Sequence, residues 1–597
     1  MKKRKALHSF HIPVMGTGFT IDTPLNVAPY GVSSVISLVD DILMEKMREL
    51  YSTKLDLPFQ EITNKIEDFR AKRITAFLNL VDGMVKDKFD ELKSSVHDKG
   101  SEIDKYIEML PDFSEIKEKF NQLLQSNNVE EARQWVRDYL APGEIDVNIM
   151  TKLDKENYQG KEKLPSEYND AHAALRGFAN SKLQSSVVLS AGMNPRLYSY
   201  FENFEDFYPN TEGKINKRII LKVSDYRSAL IQGKFLAKKG LWISEFRIES
   251  GLNCGGHAFA TDGFLMGPIL EEFKNNKEAL IATTFEIYKN TLASKERACP
   301  STPPGMKITA QGGVGTADEH DFLLDYYNLD GVGWGTPFLL VPEVTNVDDH
   351  TQKLLLGAKE EDLYLSGISP LGVPFNSLRG NTKDEDKLEK IAKGRPGSNC
   401  PKKYLVSNTE FTEQAICSAS KQYQFKKIKE LDSQDLTPEN YKITYDKIVD
   451  KSCICVGLGT TAMLNNNIET KAEGPGVSIC PGPNMAYFSE LVSFKKMVGH
   501  IYGRTNIMHR EDRPNMFIKE LKMYVNYFQN KMDEASVPPS KKEVRYLDTF
   551  RKNLNEGISY YKDLFSKQYK ASSVSKLSTD LKTLEAELDN INLHVEV

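Results

Sequence analysis

Three stretches of this chain carry residue types and spacings that can do chemistry. The first is Ser250-Gly251-Leu252-Asn253-Cys254-Gly255-Gly256-His257. Glycines let a backbone pass close to a flat ligand, and an imidazole titrating near neutrality can take or return a proton at that ligand's edge. A lone loop histidine is more often structural, but two preceding glycines weight His257 toward catalysis. The second is a pair of glycine turns, Ala310-Gln311-Gly312-Gly313-Val314-Gly315 and Gly331-Val332-Gly333-Trp334-Gly335-Thr336-Pro337-Phe338. Each follows or ends a short apolar run, so its amides are free to face an anion, and a helix starting near Thr316 would add its positive end. One Gly-Gly alone would read as a plain turn; two such turns read as a phosphate site.

The third is cysteine. Of 7 cysteines none precedes Cys254, and Cys400, Cys417, Cys453, Cys455 and Cys480 crowd the last third. Thiolates hold zinc or iron–sulfur clusters, yet this spacing matches neither the Cys-x-x-Cys pairs of zinc ribbons nor a ferredoxin run. Ordinary reduced thiols are the first reading, with no metal ligand assigned, and an iron–sulfur cluster or zinc is the second. His8, His11, His500 and His509 have no ligand-like neighbours at metal spacing. No Gly-x-Ser-x-Gly elbow is present.

These motifs need elements to hold them. Eight short apolar runs read as strands: Ile12–Met15, Val32–Val39, Asp146–Met150, Ser186–Ser190, Arg218–Val223, Leu241–Ile248, Lys307–Ala310 and Gly331–Gly333. Helical stretches separate them, which implies a parallel sheet, and eight such units close into a (β/α)8 TIM barrel. Each chemical motif then falls at a strand's C-terminal end, the face where barrels of this kind place their active sites. Residues 41–140 are rich in Glu, Lys and Leu with apolar positions three and four apart, an amphipathic helical insertion after the second strand. It reads first as a cap on the barrel and second as a lid or dimer arm. The expected division is 1–40 with 141–385 as barrel, 41–140 as insertion, and 386–597 as a mainly helical, Cys-containing extension whose tail is partly frayed.

With 597 residues the chain exceeds the roughly 300 that one core supports. A net charge of −5 gives no electrostatic case for nucleic acid or an anionic membrane. The basic start MKKRKALHSF is not followed by an apolar signal core, and no run approaches the ~18 apolar residues of a membrane span. Sparse, odd-numbered cysteines argue against a disulfide framework. A cytoplasmic protein acting on a small molecule is expected, with self-association left open.

Gly-Gly-His after strand six resembles the motif of the nitronate monooxygenases (2-nitropropane dioxygenase-like flavoenzymes) and of the related flavin-dependent enoyl-ACP reductases. Gly-Gly-Val after strand seven and Gly-Thr-Pro-Phe-Leu after strand eight resemble that family's FMN-phosphate loops. Ile12-Pro13-Val14-Met15-Gly16 resembles its first strand, Val147-Asn148-Ile149 its third, and Gly372-Val373-Pro374 with Leu378-Arg379 the segment after its barrel. The resemblance covers residues 10–40 and 141–385. It implies non-covalent FMN at the barrel mouth and His257 as general base. Gly312, Gly313, Gly335 and Thr336 would hold the phosphate, with Gly16, Asn148, Gly255 and Gly256 beside the ring. One departure is Asn253-Cys254 where the family has Glu-Ala or Glu-Ser, which bears on the substrate. Three functions follow in order: an FMN-dependent oxidoreductase of the nitronate monooxygenase type, an enoyl-thioester reductase using NAD(P)H, and a non-catalytic barrel scaffold.

Overall fold

The computed structural model describes residues 7–95, 101–125, 129–190, 192–253, 256, 262–535, 539–569 and 571–591. Eight strands form one closed parallel barrel: β1 Phe10–Ile12, β2 Ser33–Ser37, β3 Ile145–Met150, β4 Ser186–Ser190, β5 Arg218–Val223, β6 Ile243–Glu249, β7 Lys307–Gln311 and β8 Gly331–Gly333. Each strand pairs with its neighbour in sequence, and β8 closes on β1 through Phe10↔Val332 and His11↔Gly333. The fold expected from the sequence is therefore the fold observed. Boundaries moved for local reasons. Strand β1 stops at Ile12 rather than Met15, because Pro13 has no amide to give the ladder.

Residues alternate faces along each strand. Val147, Ile149, Val187, Leu189, Ile219, Leu221, Phe246, Ile248 and Ile308 face outward and are buried under the helices. Inward positions of such barrels are usually filled by branched aliphatics. Here only Val35, Val188 and Ile220 do so, with Val14 packed against them. The rest of the interior is polar. Glu245 accepts from Arg247 Nε (2.9 Å) and from Thr309 Oγ1 (2.6 Å). Burial works against the Glu245 carboxylate, but Arg247 and the other groups around it, Thr309 among them, together outweigh it and hold the group down at about 2. Near the strands' N-terminal ends a cavity of about 330 Å³ is lined by Asp146, Arg218, Glu245 and Lys307 among others. Burial, with Glu144 nearby, lifts Asp146 to about 6.

The helical layer is α1 Asp41–Lys54, α2 Phe69–Ser94, α3 Asp170–Ala179, α4 Tyr226–Ala237, α5 Met266–Ser294 and α6 Ala317–Asp325. Helices α1 and α2 lie between β2 and β3, within residues 41–140. Helix α2 packs on α3 so closely that a Cβ on Gly177 would stand 2.8 Å from Ile74 Cβ. Arg70 and Arg73 both pair with buried Asp41, at 2.5 and 2.9 Å. Phe89, Leu92, Ile103, Tyr106 and Phe120 form a separate small core among the outer helices of this stretch.

After the barrel comes a hairpin, β9 Leu363–Ser366 with β10 Phe375–Leu378. Four longer helices follow among others: α7 Ile454–Asn465, α8 Met516–Asp533, α9 Lys541–Gln568 and α10 Ala571–Asn590. Through Ile591 the tail is a docked helix rather than a frayed one, and residues 592–597 lie outside the described residues. Leu577, Leu581, Leu584 and Leu588 are all buried, because their three- and four-residue spacing gives α10 one apolar stripe that docks on α8 and α9. No helix among the described residues is long and apolar enough to cross a membrane.

Candidate active site at the barrel mouth

Most of the singled-out residues stand at the C-terminal end of the barrel. Gly16 lies just past β1 with φ +131°, a conformation that favours glycine. Beside it Thr17 Oγ1 is buried with no hydrogen-bond partner among the described residues. Asn148 occupies an inward register of β3, level with Ser37 of β2 and Val188 of β4. Gly312 and Gly313 follow β7 at φ +108° and +87°. Gly335 and Thr336 follow β8. Gly256 has φ +114° and open space where a Cβ would point. His257, Gly255 and Cys254 lie outside the described residues.

The two glycine turns leave neighbouring strands, since Gly333 is registered against Gln311. Their carbonyls are tied back on one side. Asn484 Nδ2 donates to Gly313 O (2.7 Å) and Val314 O (2.9 Å), and Arg513 Nη2 donates to Gly313 O at 2.6 Å. A trans peptide points its N–H opposite to its C=O, so the Val314 amide faces away from these anchors. The amides of Gly313, Val314, Gly335 and Thr336 donate to no other group among the described residues. Unpaired amides gathered at two adjacent turns suit an anion.

The expected helix dipole is already used. Helix α6 begins at Ala317, but Thr316 caps it and the Glu319 carboxylate accepts the Gly315 amide at 2.9 Å. Glu319 also takes the Met516 amide (2.8 Å) and pairs with Arg513 Nη1 at 2.8 Å. With its N-terminus filled by its own carboxylate, α6 offers an anion little; the turn amides are what remain.

Sequence reading missed the polar network on the rim. Lys222 of β5 pairs with Glu249 of β6 at 2.6 Å. Glu249 also accepts from Asn253 Nδ2 (2.6 Å) and Gln311 Nε2 (2.9 Å). Asn376 of β10 reaches in to Asn253 O at 3.3 Å. The available signal was register: Lys222 and Glu249 continue the inward positions of Arg218 and Glu245 in steps of two. Deeper in the barrel, burial followed by Arg247 pushes His11 down to about 3, so this imidazole stays neutral.

The extension after the barrel shapes the mouth. Leu458 O of α7 accepts the Gly18 amide at 2.8 Å, and a Cβ on Gly18 would lie 2.8 Å from Gly459 O. Only glycine allows that approach. Glu520 of α8 accepts from Ser250 Oγ (2.7 Å) and from the Met266 amide (2.8 Å), clasping both flanks of the segment that carries Gly255, Gly256 and His257. Burial raises this carboxyl to about 7. Among the described residues no group of three or more His, Cys, Asp or Glu side chains is arranged to hold a single metal ion.

No family model matches the chain, and no curated protein matches it either. Solved structures do. One is the enoyl reductase domain of MlnA from the macrolactin biosynthesis cluster of Bacillus amyloliquefaciens, at 12% identity and TM-score 0.31, covering 75% of this chain and 88% of that one. Another is nitroalkane oxidase from Streptomyces ansochromogenes, at 10% identity and TM-score 0.34, covering 83% and 94%. The barrel assignment itself rests on the closed strand order described above.

Proposed function

We propose that the chain is an FMN-dependent oxidoreductase of the nitronate monooxygenase type, acting on a small carbon acid. The observation that carries this reading is the pair of glycine turns on adjacent strands β7 and β8, whose amides have no partner among the described residues. The amides of Gly313, Val314, Gly335 and Thr336 would hold the phosphate. The turn after β1, with Gly16 and the unpartnered Thr17 hydroxyl, and the inward Asn148 would border the ring. When bound, FMN supplies the electron-accepting chemistry that amino-acid side chains lack. The protein's part is to place substrate, exclude water and move a proton. His257, carried over from the Gly-Gly-His motif, would take the substrate's α-proton. Lys222, held by Glu249 at 2.6 Å, places a positive charge on the rim where an anionic substrate would be steadied. The cysteines among the described residues are unbridged, which suits a reducing, cytoplasmic setting.

Purified protein should be yellow and should release FMN on denaturation. The His257→Ala variant should keep FMN yet lose flavin reduction by substrate. Colourless protein that takes up no added FMN would sink the proposal. Oxygen uptake with a nitronate separates this reading from its nearest rival, an enoyl-thioester reductase, which would instead oxidise NAD(P)H in the presence of an enoyl thioester.

A further inference from the structure

The N-terminal ends of the strands surround the cavity of about 330 Å³, at the opposite end of the barrel from the glycine turns. Its wall is made by the inward residues that open successive strands: Asp146 of β3, Ser186 of β4, Arg218 of β5, Glu245 of β6 and Lys307 of β7. Two positions further along their strands, Val35, Val188 and Ile220 pack on one another. Two positions beyond those stand Ser37, Ser190 and Lys222, on the mouth side. On this side of the barrel an apolar layer therefore divides the cavity from the mouth. Barrel interiors are ordinarily close-packed. An internal space within the roughly 300–1,000 Å³ of small-molecule sites is a departure from that rule.

Most charges on the wall are already paired. Arg218 holds Glu144, Arg247 holds Glu245 at 2.8 Å, and Asp330 is held by Lys277 at 2.9 Å. Two groups are left over. Asp146 is 5% exposed, and its side chain takes one hydrogen bond among the described residues, from the Ser186 amide to Oδ1 at 2.9 Å. Arg218 and Arg247 act on this carboxyl, but each is committed to another carboxylate. Lys307 is exposed at the start of β7, and its ammonium has no ion pair or hydrogen bond among the described residues. Strands β3 and β7 lie four places apart in the eight-stranded ring, so the two leftover groups stand on opposite walls and do not neutralise each other. His11 of β1 also lines the cavity, with Nε2 buried and without a hydrogen-bond partner among the described residues.

We propose that this cavity is a second ligand site, for a small amino-acid zwitterion whose ammonium sits at Asp146 and whose carboxylate turns toward Lys307. Charge selects this class. A free anion would meet Asp146 as well as Lys307, and a metal cation would meet Lys307 as well as Asp146. A ligand that is neutral overall but carries both poles satisfies each wall without burying a net charge. The bland alternative is a pocket of ordered water. Water needs polar walls, but it brings no charge to a buried carboxyl that lacks a cation of its own. The inference stands on these contacts and does not require the flavin reading.

The test is thermal unfolding of full-length protein with the protein L-amino acids, β-alanine and 4-aminobutyrate, each added singly. At least one should raise the melting temperature in proportion to the logarithm of its concentration, as a ligand of the folded state does. Isothermal titration calorimetry with that compound should then show binding that Asp146→Asn and Lys307→Met each weaken about tenfold or more. The asparagine retains an oxygen for the Ser186 amide. Should Asp146→Asn fail to fold by circular dichroism, Lys307→Met, at an exposed position, decides alone. The readout is heat and melting temperature, so it is independent of any oxidoreductase activity. The proposal is overturned if no compound of the panel shifts the melt, or if sulfate or magnesium shifts it and no amino acid does. Binding that the variants leave unchanged overturns it equally.

Discussion

Two side chains on the C-terminal extension brace the mouth without belonging to any strand. Arg513 is 5% exposed and its partner Glu319 6%, and together they brace the turn after β7. Truncating one member of a buried pair leaves the other charged and desolvated. Arg513→Ala should therefore cost about 3–5 kcal/mol in urea unfolding and weaken retention of the proposed FMN. A variant as stable as the parent would show that Glu319 is not dependent on it. Glu520 is the second. Its carboxyl sits at about 7 in the fold, against 4.5 ordinarily. The folded protein thus keeps a proton that the unfolded chain releases as pH rises through about 4.5. The resulting stability is fully present below that pH, and it falls away as pH climbs to about 7 and beyond. The span is worth on the order of 3 kcal/mol. Tyr524 and Tyr561, which face the carboxyl, are pushed up by burial and stay neutral throughout this range. Glu520→Gln should flatten the pH dependence between pH 5 and 8 in denaturant titrations, and an unchanged slope would refute the assignment.

At the scale of elements, close approach governs. Helix α7 reaches the β1 turn only because Gly18 lacks a Cβ, which would otherwise stand 2.8 Å from Gly459 O. Gly18→Ala should lower stability by about 1–3 kcal/mol, since backbone rather than a flexible side chain must move. Gly83, within α2, has nothing within 4 Å of its missing Cβ. Gly83→Ala should stabilise by about 0.5–1 kcal/mol through helix propensity alone. Thermal melts of the two variants side by side check the contrast: if both shift the same way, packing of α7 on the turn is looser than these distances require.

At the scale of the whole molecule, barrel and extension share one core. Leu265, Met266, Ile269 and Phe273 are buried in the same cluster as Leu521, Phe550, Leu554 and Tyr561. Removing residues 514–597 would expose that apolar face and release both flanks of the segment held by Glu520. The shortened chain should aggregate on size-exclusion chromatography and fail to hold the proposed flavin. A monomeric, cooperatively folding product would mean the barrel needs no cover.

Local pattern was enough to read all eight strands and the glycine turns between or after them, because strand alternation and positive-φ glycines are written in adjacent residues. The same logic marked the amphipathic insertion between β2 and β3. What the sequence could not declare is pairing across distance. Arg513 meets Glu319 from 194 positions away, and Lys222 meets Glu249 only because β5 and β6 lie side by side. The tail helix looked loose until α8 and α9 supplied the surface its leucines cover. Cysteines scattered over residues 400–480 looked like separate thiols, and only the folded chain draws four of them into contact. Each such pair depends on where the backbone travels between its members, and that path is decided by burial summed over the whole chain rather than by any one segment.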